Sequence, residues 1–164
     1  MATDTAEALS LAVLAALRAR GEMLVTVESC TGGLIAASLT AIAGSSDVVY
    51  GGFVTYDNRA KMAMAGVPEA LLIAHGAVSE PVARAMAEGA LARSGVAHAV
   101  SVTGIAGPGG GSAAKPVGLV WFAHAWAEGT STRVMRFGDI GREAVRRASV
   151  ETALGQVLDD LQRP

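Results

Sequence analysis

Leu9, Val13, Leu14 and Leu17 recur at the three-and-four spacing of one buried helical face, which predicts a first helix from about Thr5 to Arg20, stopped at Gly21. The next apolar run, MLVTV (Met23–Val27), is short and β-rich and reads as a buried strand. Small residues from Thr31 to about Ala43 predict a second helix, closed by Gly44. VVYGGFVTY (Val48–Tyr56) is β-branched and aromatic, hence a strand, with Gly51-Gly52 as the place for a bulge. Asp57 is suited to cap a helix through Met64, and GVP (Gly66–Pro68) breaks it. Another helix is expected over Pro81–Ser94, with Ser79 as its cap, then a strand over Ala97–Gly104 and a loop over Ile105–Pro116. Gly118–Ala127 and Ser131–Phe137 read as a hairpin joined at Glu128-Gly129, and a last helix runs from about Arg142 to Leu161.

Strands that first alternate with helices and then pair as a hairpin imply a single-domain, three-layer α/β/α sandwich with a mixed sheet. In such folds the loops leaving strand ends form the binding crevice. Ser29 and Thr103, each with its glycines, follow predicted strands and are expected to meet on one edge.

Composition narrows the picture. The 164 residues suit one domain, and 51% apolar with only 4% aromatic means a core of Ala, Val, Leu and Ile. A formal charge of −2 gives no general pull toward nucleic acid or an anionic membrane. The stretch Ala8–Leu17 is too short to cross a bilayer, and Asp4 and Glu7 before it are unlike the positive start of a secretory signal. The single cysteine excludes an internal disulfide and fits a reducing compartment, so a cytoplasmic protein is expected. One Cys, and no His pair at ligand spacing, argues against a zinc site.

ESCTGG (Glu28–Gly33) places three nucleophile types, Ser29, Cys30 and Thr31, at a predicted helix start, where free N–H groups can hold an oxyanion. The plainer alternative is that Ser29 or Thr31 caps the helix and Gly32 and Gly33 allow close packing. A nucleophilic Cys30 would want a histidine, yet His75, His98 and His124 are scattered along the chain. A serine without a histidine needs another activator, and a lysine serves when its pKa is lowered. The chain has Lys61 and Lys115 only; Lys61 lies one helical turn past Asp57, close behind Tyr56, which is placed to relay a proton. On its own, Lys61 equally reads as a surface residue of a capped helix. TGIAGPGGGSAAKP (Thr103–Pro116) offers glycines for an anion-binding nest, or a plain surface connector; it fits neither a Walker A loop nor a Rossmann fingerprint. Arg142 and Arg146 share a face near a helix start, which suits a phosphate or a solvated surface.

Together, TVESCTGG, GGFVTYDNRAK, HGAVSEPVARAMAEGA, SVTGIAGPGGG with KPVGLVWFA, and GDIGREAVRRASVETAL resemble the C-terminal domain of the competence/damage-inducible CinA proteins, in the family's order and over nearly the whole chain. Larger CinA proteins carry a further N-terminal domain, for which this chain has no room. Stand-alone members of that family are nicotinamide-nucleotide amidohydrolases. The resemblance implies hydrolysis of nicotinamide mononucleotide to nicotinic acid mononucleotide and ammonia, with no metal or other cofactor, in a homodimer. It implies a site of Ser29, Tyr56 and Lys61, and it lifts Ser29 above Cys30. Oxyanion and substrate contacts are expected from Cys30, Thr31, Gly32, Gly33, Thr103, Gly104, Gly107 and Arg142. The rival expectation is a nucleotide-binding or interaction module without catalysis.

Overall fold

The computed structural model describes residues 4–164. Five strands form one mixed sheet in the order β2-β1-β3-β4-β5: β1 (Leu24–Glu28), β2 (Val49–Val54), β3 (His98–Gly104), β4 (Leu119–Trp126) and β5 (Gly129–Arg136). β1 is parallel to both β2 and β3, while β4 and β5 follow as an antiparallel hairpin. Helices α1 (Thr5–Arg20), α2 (Leu34–Thr40) and α6 (Arg142–Leu161) cover one face; α3 (Asn58–Ala65), α4 (Glu69–His75) and α5 (Glu80–Ser94) cover the other. The fold is therefore α/β, as the element order implies.

β1 is buried at all five positions, as a central parallel strand must be. Its period of two sends Leu24 into the core under α1 and α6, and Val25 and Val27 into the core under α5. From β1 the chain goes out to β2 on one side, then returns under α5 to β3 on the other. The carboxyl ends of β1 and β3 thus flank a topological switch point, the usual crevice of an open α/β sheet.

Most elements lie where the hydrophobic pattern puts them, with five differences. α2 starts at Leu34 and ends at Thr40, so 29–33 is a turn rather than the helix start expected at Thr31. A short helix, α4, follows Pro68 where only a break was read; it buries no residue completely and so carries no helical stripe to detect. Ser79 stands at the start of α5 without capping it, its hydroxyl donating instead to Gly76 O at 2.8 Å. The β-bulge of β2 falls at Tyr50, one position before the glycine pair. The hairpin turns at Ala127-Glu128, with Gly129 already paired to Trp126.

Candidate active site

Ser29 leaves the end of β1 with its N–H bound to Val102 O of β3 at 3.0 Å, so the sheet ladder itself fixes the backbone of the nucleophile. The chain then turns through Gly32 and Gly33, whose φ of 57° and 105° suit glycine, before α2 begins. Beneath this turn lies Glu28, 1% exposed. Its carboxylate accepts the Thr31 hydroxyl at 2.6 Å and the N–H groups of Ile35 and Ala36 at 2.9 and 3.1 Å. Those amides are the first free donors of α2, so the helix end is satisfied from within and is not open to a ligand. Arg146 of α6 clasps the turn from outside, donating to Cys30 O at 3.1 Å and Thr31 O at 3.2 Å. Among the described residues, no backbone acceptor takes the N–H of Cys30, Thr31 or Gly33.

Removing Glu28 would leave one buried and one half-buried amide and a hydroxyl without an acceptor. Glu28→Ala is expected to cost about 3 kcal/mol or more, each orphaned group contributing roughly 1–3 kcal/mol. Urea unfolding checks this; an unchanged midpoint would show that water replaces the carboxylate.

The activating group reaches Ser29 from the other side of β2. Asp57 caps α3 by accepting the N–H of Arg59 at 2.8 Å, and the first turn of α3 then points Lys61 inward. Lys61 is 1% exposed, and its Nζ lies 3.0 Å from Ser29 Oγ, 2.8 Å from Thr55 O and 3.4 Å from Tyr56 O. Burial holds its pKa below the ordinary 10.5, against the pull of Asp57. The geometry serves both protonation states. An ammonium has three hydrogens for three acceptors; a neutral amine gives two to the carbonyls and keeps its lone pair for the Ser29 hydroxyl.

Cys30 is different. Its thiol is buried, which pushes its pKa up to about 12, so it is protonated at neutral pH. Tyr56 departs from the relay expected of it: its side chain is 60% exposed and its phenol meets Arg142 at 3.0 Å, with no hydrogen bond to Ser29 or Lys61. Lys115 does not line this site; its amine is bound to His75 O.

Ser29, Cys30, Tyr56, Lys61, Thr103, Gly104 and Arg142 line one cavity of about 210 Å³. Asn58, Ala77, Val78 and Ala106 complete its wall, and sequence reading missed them. Apart from Asn58 they are apolar residues in connectors, which no chemical pattern marks. Thr103 turns its hydroxyl to Ala77 O at 2.9 Å, and a side chain at Gly104 would sit 2.6 Å from Val120. Gly107 lies at the rim, where its carbonyl, not its N–H, faces the site and accepts from Arg142 at 2.9 Å. Arg142 therefore bridges Tyr56 and the glycine loop, whereas Arg146 is occupied by the nucleophile turn. The expected arginine pair is in fact two residues with separate duties.

Two histidines widely spaced in sequence do come together, at the far end of the sheet. His98 Nδ1 lies 3.1 Å from His124 Nε2, Glu22 lies 2.7 Å beyond one ring and Asp160 3.0 Å beyond the other. Burial holds the pKa of His124 down to about 4. His98 pairs with Leu24, five residues before Ser29, which sets this cluster roughly 16 Å from the nucleophile. It supplies no base to Ser29.

The sequence model of the CinA C-terminal domain matches residues 6–161. The chain belongs to the CinA C-terminal domain family. Among CinA relatives, the nicotinamide-nucleotide amidohydrolase PncC of Escherichia coli (strain K12) is 55% identical over 141 residues, covering 85% of this chain and 84% of that protein. A CinA-like protein of Synechococcus sp. (strain RCC307) is 52% identical over 90% of this chain, which spans only 36% of that longer relative. The crystal structure of the competence/damage inducible protein CihA from Agrobacterium tumefaciens superposes with a TM-score of 0.94 at 51% identity, over 99% of each chain. No helix of this CinA-family chain is long and apolar enough, among the described residues, to cross a membrane.

Proposed function

We propose that this chain is an amidohydrolase that converts nicotinamide mononucleotide to nicotinic acid mononucleotide and ammonia, a step of pyridine nucleotide salvage. The observation that carries the chemistry is the 3.0 Å contact between Ser29 Oγ and the buried Lys61 amine. The substrate is supported by the 55% identity to a relative named nicotinamide-nucleotide amidohydrolase.

In this reading Ser29 attacks the carboxamide carbon as its proton passes directly to Lys61 Nζ. The N–H group of Cys30, which lines the cavity and has no backbone acceptor, receives the oxyanion. Lys61 then protonates the departing ammonia, and water cleaves the acyl ester on Ser29. The pyridinium charge of the substrate draws electrons from the amide and favours attack. A volume of 210 Å³ is below the ~300–1,000 Å³ of a full small-molecule site, so it takes the nicotinamide ring and leaves the phosphate at the rim. There Arg142 receives it, exchanging Tyr56 and Gly107 for phosphate oxygens. Tyr56 enters the mechanism through that exchange, as a partner of the phosphate-binding arginine. The proposal takes residues 1–164 as one cytoplasmic amidohydrolase domain that pairs as a homodimer and uses neither nucleic acid nor a membrane.

Ammonia release from nicotinamide mononucleotide by the purified protein is the direct test; none released would leave a nucleotide-binding module without catalysis. Arg142→Ala is expected to raise KM for the nucleotide on the order of tenfold or more, with a smaller change in kcat. An unchanged KM would return Arg142 to a rim-bracing role.

A further inference from the structure

Lys61 is alone among the residues lining the cavity in being placed to take a proton from Ser29 and give it back. Arg142 carries a guanidinium, which offers hydrogen-bond donors and no acceptor. Burial keeps the Cys30 thiol up to about 12. The Thr103 hydroxyl is donated to Ala77 O, Tyr56 is 60% exposed with its phenol bonded to neither Ser29 nor Lys61, and Asn58 carries an amide. The remaining wall is alkyl or glycine.

One proton carrier means one position for both the group that leaves and the group that enters. Ammonia must depart beside Lys61 Nζ to collect its proton there. The molecule that cleaves the acyl ester is deprotonated by the same nitrogen, since among the described residues lining the cavity no second base contacts Ser29. The entering molecule therefore occupies the position that an amine has just vacated.

Resting on the acyl-enzyme reading above, we infer that this site also transfers its acyl group from Ser29 to small primary amines. Hydroxylamine is the natural probe. Its nitrogen forms a bond to the ester carbonyl carbon, and the bond from that carbon to Ser29 Oγ breaks. Lys61 takes one N–H proton and returns it to Ser29 Oγ, so the products are free serine and the hydroxamate of the mononucleotide. Atoms and electrons balance with no oxidant or reductant. The 210 Å³ cavity is walled by Ala77, Val78 and Ala106. With a nicotinoyl ring in place, that space leaves room for an amine of two heavy atoms.

The protein is incubated with nicotinamide mononucleotide and rising hydroxylamine; ammonia, nicotinic acid mononucleotide and hydroxamate are quantified together by mass spectrometry. The ratio of hydroxamate to acid is expected to rise in proportion to hydroxylamine, with the acid falling and ammonia equal to the sum of the two. Ser29→Ala supplies the uncatalysed background. Ammonia and acid without hydroxamate, at hydroxylamine levels that leave turnover intact, would overturn the inference while leaving the hydrolase reading standing. Absence of ammonia from the nucleotide itself would remove the hydrolase reading and the transfer with it.

Discussion

Ser29→Ala is expected to fold, to bind nicotinamide mononucleotide and to lose on the order of 10³-fold or more in kcat, because no acyl ester can form. Cys30→Ala, one residue along, is expected to keep most of its turnover. The reasoning rests on the different tasks of neighbouring atoms. Ser29 Oγ touches Lys61 Nζ, whereas Cys30 contributes a backbone N–H that alanine retains and a carbonyl that Arg146 still holds. The Cys30 thiol is protonated across the neutral range, its pKa up at about 12. Comparing the two turnover numbers decides the matter: a dead Cys30→Ala beside an active Ser29→Ala would transfer the chemistry to the thiol.

Lys61→Arg is expected to inactivate nearly as fully as Lys61→Ala, with losses on the order of 10²–10⁴-fold for either. Arginine keeps the charge but cannot surrender a proton near neutral pH. Circular dichroism of both variants separates lost chemistry from lost fold. The wild type should show a matching pH profile. Lys61 is effective as the neutral amine, and burial places its pKa below 10.5. Protonation therefore silences the site at low pH, and kcat/KM rises as pH climbs through the lowered value and then levels off. A rate still climbing toward pH 12 would point to Cys30, and substantial activity in Lys61→Arg would mean that the lysine acts by charge alone.

Local patterns made much of this legible. Asp57 marks the start of α3 because its carboxylate caps it, and α6 spans the Arg142–Leu161 read from the sequence. The order of elements gave the α/β class. The start of α2 was misplaced because its true cap lies in β1: Glu28 reaches amides seven and eight residues ahead, beyond the range of any capping pattern. The Ser29–Lys61 contact depends on β1 and β2 being neighbours, a long-range fact that spacing alone does not carry. Tyr56 shows the converse error. Closeness in sequence to Lys61 invited a relay, yet Tyr56 lies beyond the end of β2, exposed, with its phenol on Arg142, whereas Lys61 points inward from α3. Arg142 and Arg146, one turn apart, diverge because their side chains reach different carbonyls.

The Glu28 carboxylate closes a ring of covalent and hydrogen bonds that runs from β1 through Ser29 and back at Ile35 and Ala36. Side chains within such a ring are exchangeable; its length is not. One residue added or deleted between Cys30 and Gly33 would carry both amides past the carboxylate and open the ring, while a different short side chain at position 29 leaves every member in place. Redesign of this catalyst should hold the ring at its present size, vary the nucleophile inside it, and seek new room for substrates at Ala77 and Val78, which stand outside it.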